Sequence, residues 1–338
     1  MNMIQAVVRL PLLLLPFAAA PPSPNPCGGS LHGRLLPSEF IAGRIFVHWH
    51  LRSGADLRFY LDTGGNTWVF PQALSRLGAP IDTTARNGYS VLSVRLSSAL
   101  GDAIVLPVAP GPPTAGSSDT VVVMVSPQAA PDYGIGLPVD GLLGGYWFAD
   151  RVWVLDYLGQ RLLFNGTAPT GPRDSACWVP LGFQIYPPTG QRTTQFPRIA
   201  ARVDGEEIQF LLDTGARTTL TDSAWQAIGA AEPRQRAASF ITQSRLDAWH
   251  QRHPDWPVVG RAEEGDSASM IRVPTIRVGA EEIGPVWFTA RPDRSFRVFM
   301  SQYMDEPVEG SLGGSAWEYV TLILDYPRAR AAILPGRR

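Results

Sequence analysis

FYLDTGG, residues 59–65, ends an apolar run on a carboxylate and then turns on a small residue and two glycines. FLLDTGA, residues 210–216, does the same thing in the second half of the chain. Upstream the match continues: Gly54 lies eight residues before Asp62, and Gly205 lies eight before Asp213. LRFYLDTG and IQFLLDTG each follow a glycine turn and alternate toward an apolar strand, the pattern of a β-hairpin whose second strand delivers an aspartate at its end.

A second pair of words repeats downstream. VDGLLGGYWFADRVWVLDYLGQRLLF (139–164) matches VEGSLGGSAWEYVTLILDYPRARAAIL (308–334), with Gly144 twelve residues before Asp156 and Gly313 twelve before Asp325. Two anchors per half at matching offsets define an internal duplication. Short β-type runs and frequent turn residues make the fold class mainly β, with two similar barrel-like lobes and a cleft between them. Short helices are predicted at Pro71–Leu77 and Ser223–Ile228. The lobes are read as 39–164 and 198–338. Residues 165–197, rich in Pro, Gly and Thr, form the interlobe linker, with apolar runs able to add a strand under both lobes.

The chain has 338 residues with a formal net charge of −1, and 45% of them are hydrophobic. That is enough for a sizeable core, and it offers no dedicated surface for nucleic acid. All 29 basic residues are arginine, so lysine chemistry (Schiff bases, Walker-type phosphate cradles, Ser-Lys pairs) is excluded. Residues 1–20 combine an early arginine with an apolar stretch too short and proline-broken to span a bilayer comfortably. They read as a signal peptide, or, because Pro21 follows Ala18-Ala19-Ala20, as an uncleaved N-terminal anchor. Residues 21–38 form a Pro/Gly-rich N-terminal segment. The expected location is therefore exported, periplasmic or secreted, with membrane contact only through that segment. Cys27 and Cys177, the only cysteines, are a candidate disulfide in an oxidising compartment; two unpaired thiols are the alternative.

The paired Asp-Thr-Gly words and the later Leu-Gly words resemble those of aspartic peptidases of the pepsin/retropepsin superfamily, in a single-chain, two-lobed form covering roughly residues 40–335. The DGLLGG and LDY wording resembles compact bacterial retropepsin-like domains. The resemblance implies two acid-protease lobes, catalytic roles for Asp62 and Asp213, and hydrogen bonds from Thr63 and Thr214 that cross-link the lobes beneath the pair. It also implies packing supports from Leu142-Leu143-Gly144 and Ser311-Leu312-Gly313.

The chemistry gives its own reason for the pattern. Hydrolysing a peptide bond without metal, serine or cysteine requires a base to activate water and an acid for the carbonyl and leaving amine. Two adjacent carboxyls supply both, because they cannot ionise together and so share one proton. Gly64 and Gly215 let the backbone bring amides toward the carboxylates. No metal and no cofactor is required, and one chain, as a monomer, carries both halves. The reading is an aspartic endopeptidase acting on extended polypeptide, with apolar pockets on either side of the scissile bond. The alternative is a non-catalytic peptide-binding relative of the same fold.

Two positions depart from the pepsin pattern. Gly65 and Ala216 stand where a hydroxyl residue usually supports the ionised carboxylate, which predicts raised pKa values and an optimum less acidic than that of a gastric pepsin. A flap is placed at 87–106, with Tyr89 as the covering aromatic, and a second hairpin at 256–274. Asp156 and Asp325 read as turn acceptors without a catalytic role. His48, His50, His250 and His253 read as ordinary surface residues.

Overall fold

A computed structural model describes residues 27, 31–50, 54, 56–77, 82–86, 89–95, 120–149, 151–164, 175–229, 231 and 233–335. The segment read as a signal peptide or anchor lies outside them. Among the described residues no helix is long and apolar enough to cross a membrane.

Each lobe is built around the predicted hairpin. In the first, Arg44–His50 pairs antiparallel with Asp56–Leu61; in the second, Arg198–Val203 pairs with Glu206–Leu212. Asp204 and Gly205 turn the second hairpin with φ of 52° and 79°. Glycine tolerates the left-handed region there at no steric cost. The Leu-Gly words then return parallel to the aspartate strands in both lobes. Phe59, Tyr60 and Leu61 face Gly141, Leu142 and Leu143, while Phe210, Leu211 and Leu212 face Gly310, Ser311 and Leu312. Gly144 and Gly313 have no room for a side chain: a Cβ on the first would collide with the carbonyl of Gly65, and one on the second with the carbonyl of Ala238. A short helix follows each word, Gly145–Phe148 and Gly314–Trp317, burying Trp147 and Trp317 completely.

The two lobes share a floor. One six-stranded sheet runs Arg34–Leu36, Arg161–Phe164, Val152–Asp156, Val320–Asp325, Arg330–Pro335, Trp178–Pro180. Its two central strands are the equivalent LDY strands of the duplication. They pair antiparallel about Val154 and Ile323, so the pseudo-two-fold axis passes between them. Trp178–Pro180 lies within the linker and supplies an edge strand. Asp156 and Asp325 close the turns on this sheet. Asp156 accepts from the Gly159 amide, from Arg161 and from Thr321 of the other lobe; Asp325 accepts from Arg328 and Arg330. Burial pushes the Asp156 carboxyl up, but these donors outweigh it and hold it below the ordinary value.

The underside of the sheet, with Val152, Val154, Leu163, Ile323, Ala332 and Leu334, is covered by a Cys27–Cys177 disulfide. This bond ties the N-terminal segment to the linker across 150 residues. Chain-entropy reasoning gives a loop of that size a stabilisation of at most about 5 kcal/mol. Reduction, or Cys177→Ser, is therefore expected to lower the denaturant midpoint by several kcal/mol equivalent. An unchanged midpoint with and without reductant would show that the clasp contributes nothing.

Helices occur at Pro71–Ala73 continuing into Leu74–Leu77, and at Asp222–Ile228. A ten-residue helix, Gln243–Arg252, buries Leu246 and Trp249 against the second lobe. The first-lobe hairpin needs correction. It is formed by Asp82–Arg86 and Tyr89–Arg95, joined in a three-stranded sheet by Thr120–Met124. Arg86 pairs with Tyr89, so Tyr89 opens the return strand instead of beginning the hairpin. The Asn-Gly pair at 87–88 is a strong two-residue hairpin signal that marks this register. Residues 96–119 lie outside the described residues.

Candidate active site

The two aspartate strands are among the most deeply buried parts of the chain. Leu57, Phe59, Tyr60 and Leu61 in one, and Ile208, Phe210, Leu211 and Leu212 in the other, are sealed from solvent. Each strand ends by donating its aspartate amide to the facing Leu-Gly word, Asp62 to the Leu143 carbonyl and Asp213 to the Leu312 carbonyl, both at 2.9 Å. These bonds fix where each carboxyl emerges. Both carboxyls are walled in by protein, yet their residues keep partial solvent contact, as a site open to water requires.

Across the axis the halves interlock. Thr63 Oγ1 accepts from the Thr214 amide at 2.9 Å and donates to the Leu212 carbonyl at 2.7 Å. Thr214 Oγ1 accepts from the Thr63 amide at 3.0 Å and donates to the Leu61 carbonyl at 3.2 Å. Each carboxyl then lies over the glycine of the opposite lobe. A Cβ on Gly64 would stand 2.6 Å from Asp213 Cγ, and one on Gly215 would collide with the Asp62 carboxyl. Only glycine permits that approach. The structure thus brings together Asp62, Asp213, Thr63, Thr214, Gly64 and Gly215, with Leu143, Gly144, Leu312 and Gly313 packed directly behind.

The two carboxyls lie close enough to act on each other directly. Burial raises both above the ordinary value. For Asp213 the neighbouring Asp62 charge adds to burial and carries the shift much further. For Asp62 the bond from Asp213, the Arg217 charge and the amides of Gly64 and Gly65 work against burial without cancelling it. The two carboxyls titrate as a pair, raised by burial and by each other, and hold one shared proton between them. Gly65 has a steric reason beyond flexibility, since a Cβ there would strike the Asp62 carboxylate. At Ala216 the methyl is accommodated and buried.

Several residues at the site were not singled out in the sequence. Tyr60, one residue before Leu61, sends its hydroxyl to the Thr214 carbonyl at 3.4 Å. Arg217 lies two residues past Gly215 and stacks its guanidinium on Tyr133, 4.6 Å from the ring centre. Behind them Arg44 is fully buried, donating to the Tyr133 carbonyl and to Gln235 Oε1. Arg217 was readable from its place beside the Asp-Thr-Gly word; Arg44 and Tyr133 were not, because only tertiary packing brings them in.

Beside Asp213 opens a pocket of about 390 Å³, lined among others by Arg217, Thr219, Gln235, Glu263 and Arg291. Three of these side chains carry charge, so this pocket is not an apolar one. Glu263 comes from the hairpin Val258–Val259 with Met270–Val273, whose tip is pinned to the second lobe by the Glu264 amide on the Thr219 carbonyl. This tip does not hang free over the cleft. His253 pairs with Asp204 and stacks on Trp256, and His48 pairs with Glu39. Among the described residues no group of three or more His, Cys, Asp or Glu could hold a metal ion.

No family model matches the chain, and no curated protein sequence does. Among the solved structures similar in shape are the following two. The crystal structure of an aspartic proteinase from Irpex lacteus is 11% identical, with a TM-score of 0.47, covering 90% of this chain and 98% of that one. That of basic 7S globulin from soybean is also 11% identical, with a TM-score of 0.42, covering 89% and 96%. Both likenesses are too distant to carry any residue's role across. The duplicated strand order and shared floor sheet make this a mainly β, two-lobed fold.

Proposed function

We propose that the chain is an aspartic endopeptidase in which Asp62 and Asp213 activate water against a peptide carbonyl. The observation that carries this reading is a pair of buried carboxyls, each delivered by one half of a duplicated scaffold and each lying against the glycine of the other half. A buried pair of acids has no structural advantage over apolar residues. As a proton-sharing pair it can do both halves of the chemistry; aspartic proteases are a standard example of that split. Ionised Asp62 takes a proton from a water held between the carboxyls, and the water oxygen bonds to the substrate carbonyl carbon. Protonated Asp213 donates to the carbonyl oxygen. The tetrahedral intermediate then collapses: its C–N bond breaks as the proton gained by Asp62 passes to the leaving nitrogen, while a hydroxyl of the intermediate returns a proton to Asp213, which restores the singly protonated pair.

The hairpin formed by Asp82–Arg86 and Tyr89–Arg95 is the candidate flap, with Tyr89 near its tip. The substrate is an extended polypeptide, and a monomer suffices. The disulfide supports an exported enzyme, with residues 1–20 as its signal or anchor.

The test is cleavage of an unfolded protein and a mixed peptide pool from pH 3 to 8, with a chelator present, beside Asp62→Asn. Cutting that survives the chelator and disappears in the variant is expected. Because both carboxyls titrate above the ordinary value of 3.8, the singly protonated pair persists into weakly acidic conditions, and the rate should peak there. An optimum at or below about pH 3 would contradict the raised pair.

A further inference from the structure

The pocket beside Asp213 is charged in a way the proposed chemistry does not need. Arg291 is neutralised inside it: its guanidinium makes a two-pronged pair with Glu263 at 2.6 and 3.0 Å and lies over the Phe240 ring. Arg217 is different. Among the described residues it makes no ion pair, and its flat face is taken by Tyr133. A guanidinium held by ring stacking keeps its edge donors free, and that edge suits a two-pronged carboxylate partner.

Arg44 adds to the imbalance from behind. It is sealed from solvent, and its partners, the carbonyls of Ile41 and Tyr133 and the Gln235 side chain, are all neutral. Its Nη2 has no hydrogen-bond partner. Burial lowers its pKa only to about 10, so it stays charged. Arg217, whose charge reaches Asp62, and Arg44 behind Tyr133 therefore face a carboxyl pair that carries one negative charge while it holds its shared proton. The cleft on this side is left with an excess positive charge in a poorly hydrated setting, where such a charge acts strongly.

We propose that Arg217 makes the pocket beside Asp213 a carboxylate-binding subsite, so that the enzyme selects substrates with an aspartate or glutamate within two or so residues of the cleaved bond. This rests on the peptidase reading. The two are compatible in pH as well, because a substrate carboxylate is ionised in the weakly acidic range where the raised pair retains its proton.

The experiment uses a pool of extended peptides and a twin pool in which every Asp and Glu is replaced by Asn and Gln. Cleavage of both is mapped for the wild type, Arg217→Gln and Arg217→Glu, and binding of both is measured on Asp62→Asn. The wild type is expected to cut with acidic residues enriched at one fixed position and to prefer the acidic pool by about 10- to 100-fold, as a charge-assisted bidentate contact would give. Arg217→Gln should remove that preference, and Arg217→Glu should turn the enriched position toward arginine and lysine. Binding to Asp62→Asn should favour the acidic pool by a similar factor and lose that preference at raised salt. If nothing is cut but acid-selective binding persists and depends on Arg217, the subsite stands and the peptidase reading falls. Equal treatment of the two pools in cutting and in binding overturns the subsite, as does an acidic preference that survives Arg217→Gln.

Discussion

Asp213→Asn is expected to abolish cleavage, by about 10³-fold or more, while making the folded protein more resistant to heat at neutral pH. The two effects share one cause. Burial first, and then the Asp62 charge, hold the Asp213 carboxyl well above its ordinary value of 3.8. Between that value and the raised one, the native state keeps a proton that the unfolded chain has released. Stability therefore falls as pH rises through this window, by up to about 1.4 kcal/mol per pH unit. Asparagine keeps the shape, and its Oδ1 can still accept from the Gly215 amide, now at 3.0 Å. It removes the titration, and with it the acid that must protonate the carbonyl. The variant should match the wild type in melting temperature near pH 3 and exceed it increasingly above pH 4. Thermal melts across pH, beside peptide cleavage, check both halves. A variant that loses activity and stability together at every pH would mark Asp213 as a turn-capping residue, and the dyad would have to be given up.

The sequence made the carboxyl pair legible because its signals are local and written twice. An apolar strand, an aspartate and a glycine turn sit within seven residues, and the distant Leu-Gly word repeats at a fixed offset. The parallel pairing of Leu61 with Leu143 and of Leu212 with Leu312 follows from that duplication. What was not legible depends on contacts without a local mark. Arg44 finds the Tyr133 carbonyl 89 residues away and Gln235 191 residues away, and no periodicity announces either. The charged lining of the pocket beside Asp213 was illegible for a related reason. Glu263 and Arg291 meet only because the tip of one hairpin folds onto the neighbouring strands, so their pairing could not be read from composition. The first-lobe hairpin does carry a local mark, because the paired strands Asp82–Arg86 and Tyr89–Arg95 stand on either side of an Asn-Gly word in the sequence.

Thr63→Val should cost about 2–6 kcal/mol of stability and disable catalysis without touching a carboxyl. The Thr63 hydroxyl serves two backbone groups of the opposite lobe at once, accepting from the Thr214 amide and donating to the Leu212 carbonyl. Valine fills the same volume but leaves both groups unpaired in a site sealed from water, at roughly 1–3 kcal/mol each. Thr63→Ser keeps the hydroxyl and should lose only the small packing contribution of one methyl, separating the hydrogen bonds from the shape. Thr214→Val breaks the reciprocal pair, and the energies of the two single variants need not add. Once one cross-link is open the lobes can shift, and the second bond weakens with it. Activity should fall mainly in kcat, because each carboxyl is aimed by the residue after it and an error of about 1 Å in such aim can cost about 10²-fold. Denaturant unfolding beside steady-state kinetics reads both consequences. A loss below about 0.5 kcal/mol, within the range of an ordinary surface substitution, would mean that the floor sheet alone holds the lobes in register. The threonines would then serve only to satisfy buried amides, and the alignment of the pair would have to be sought in the Leu-Gly words behind it.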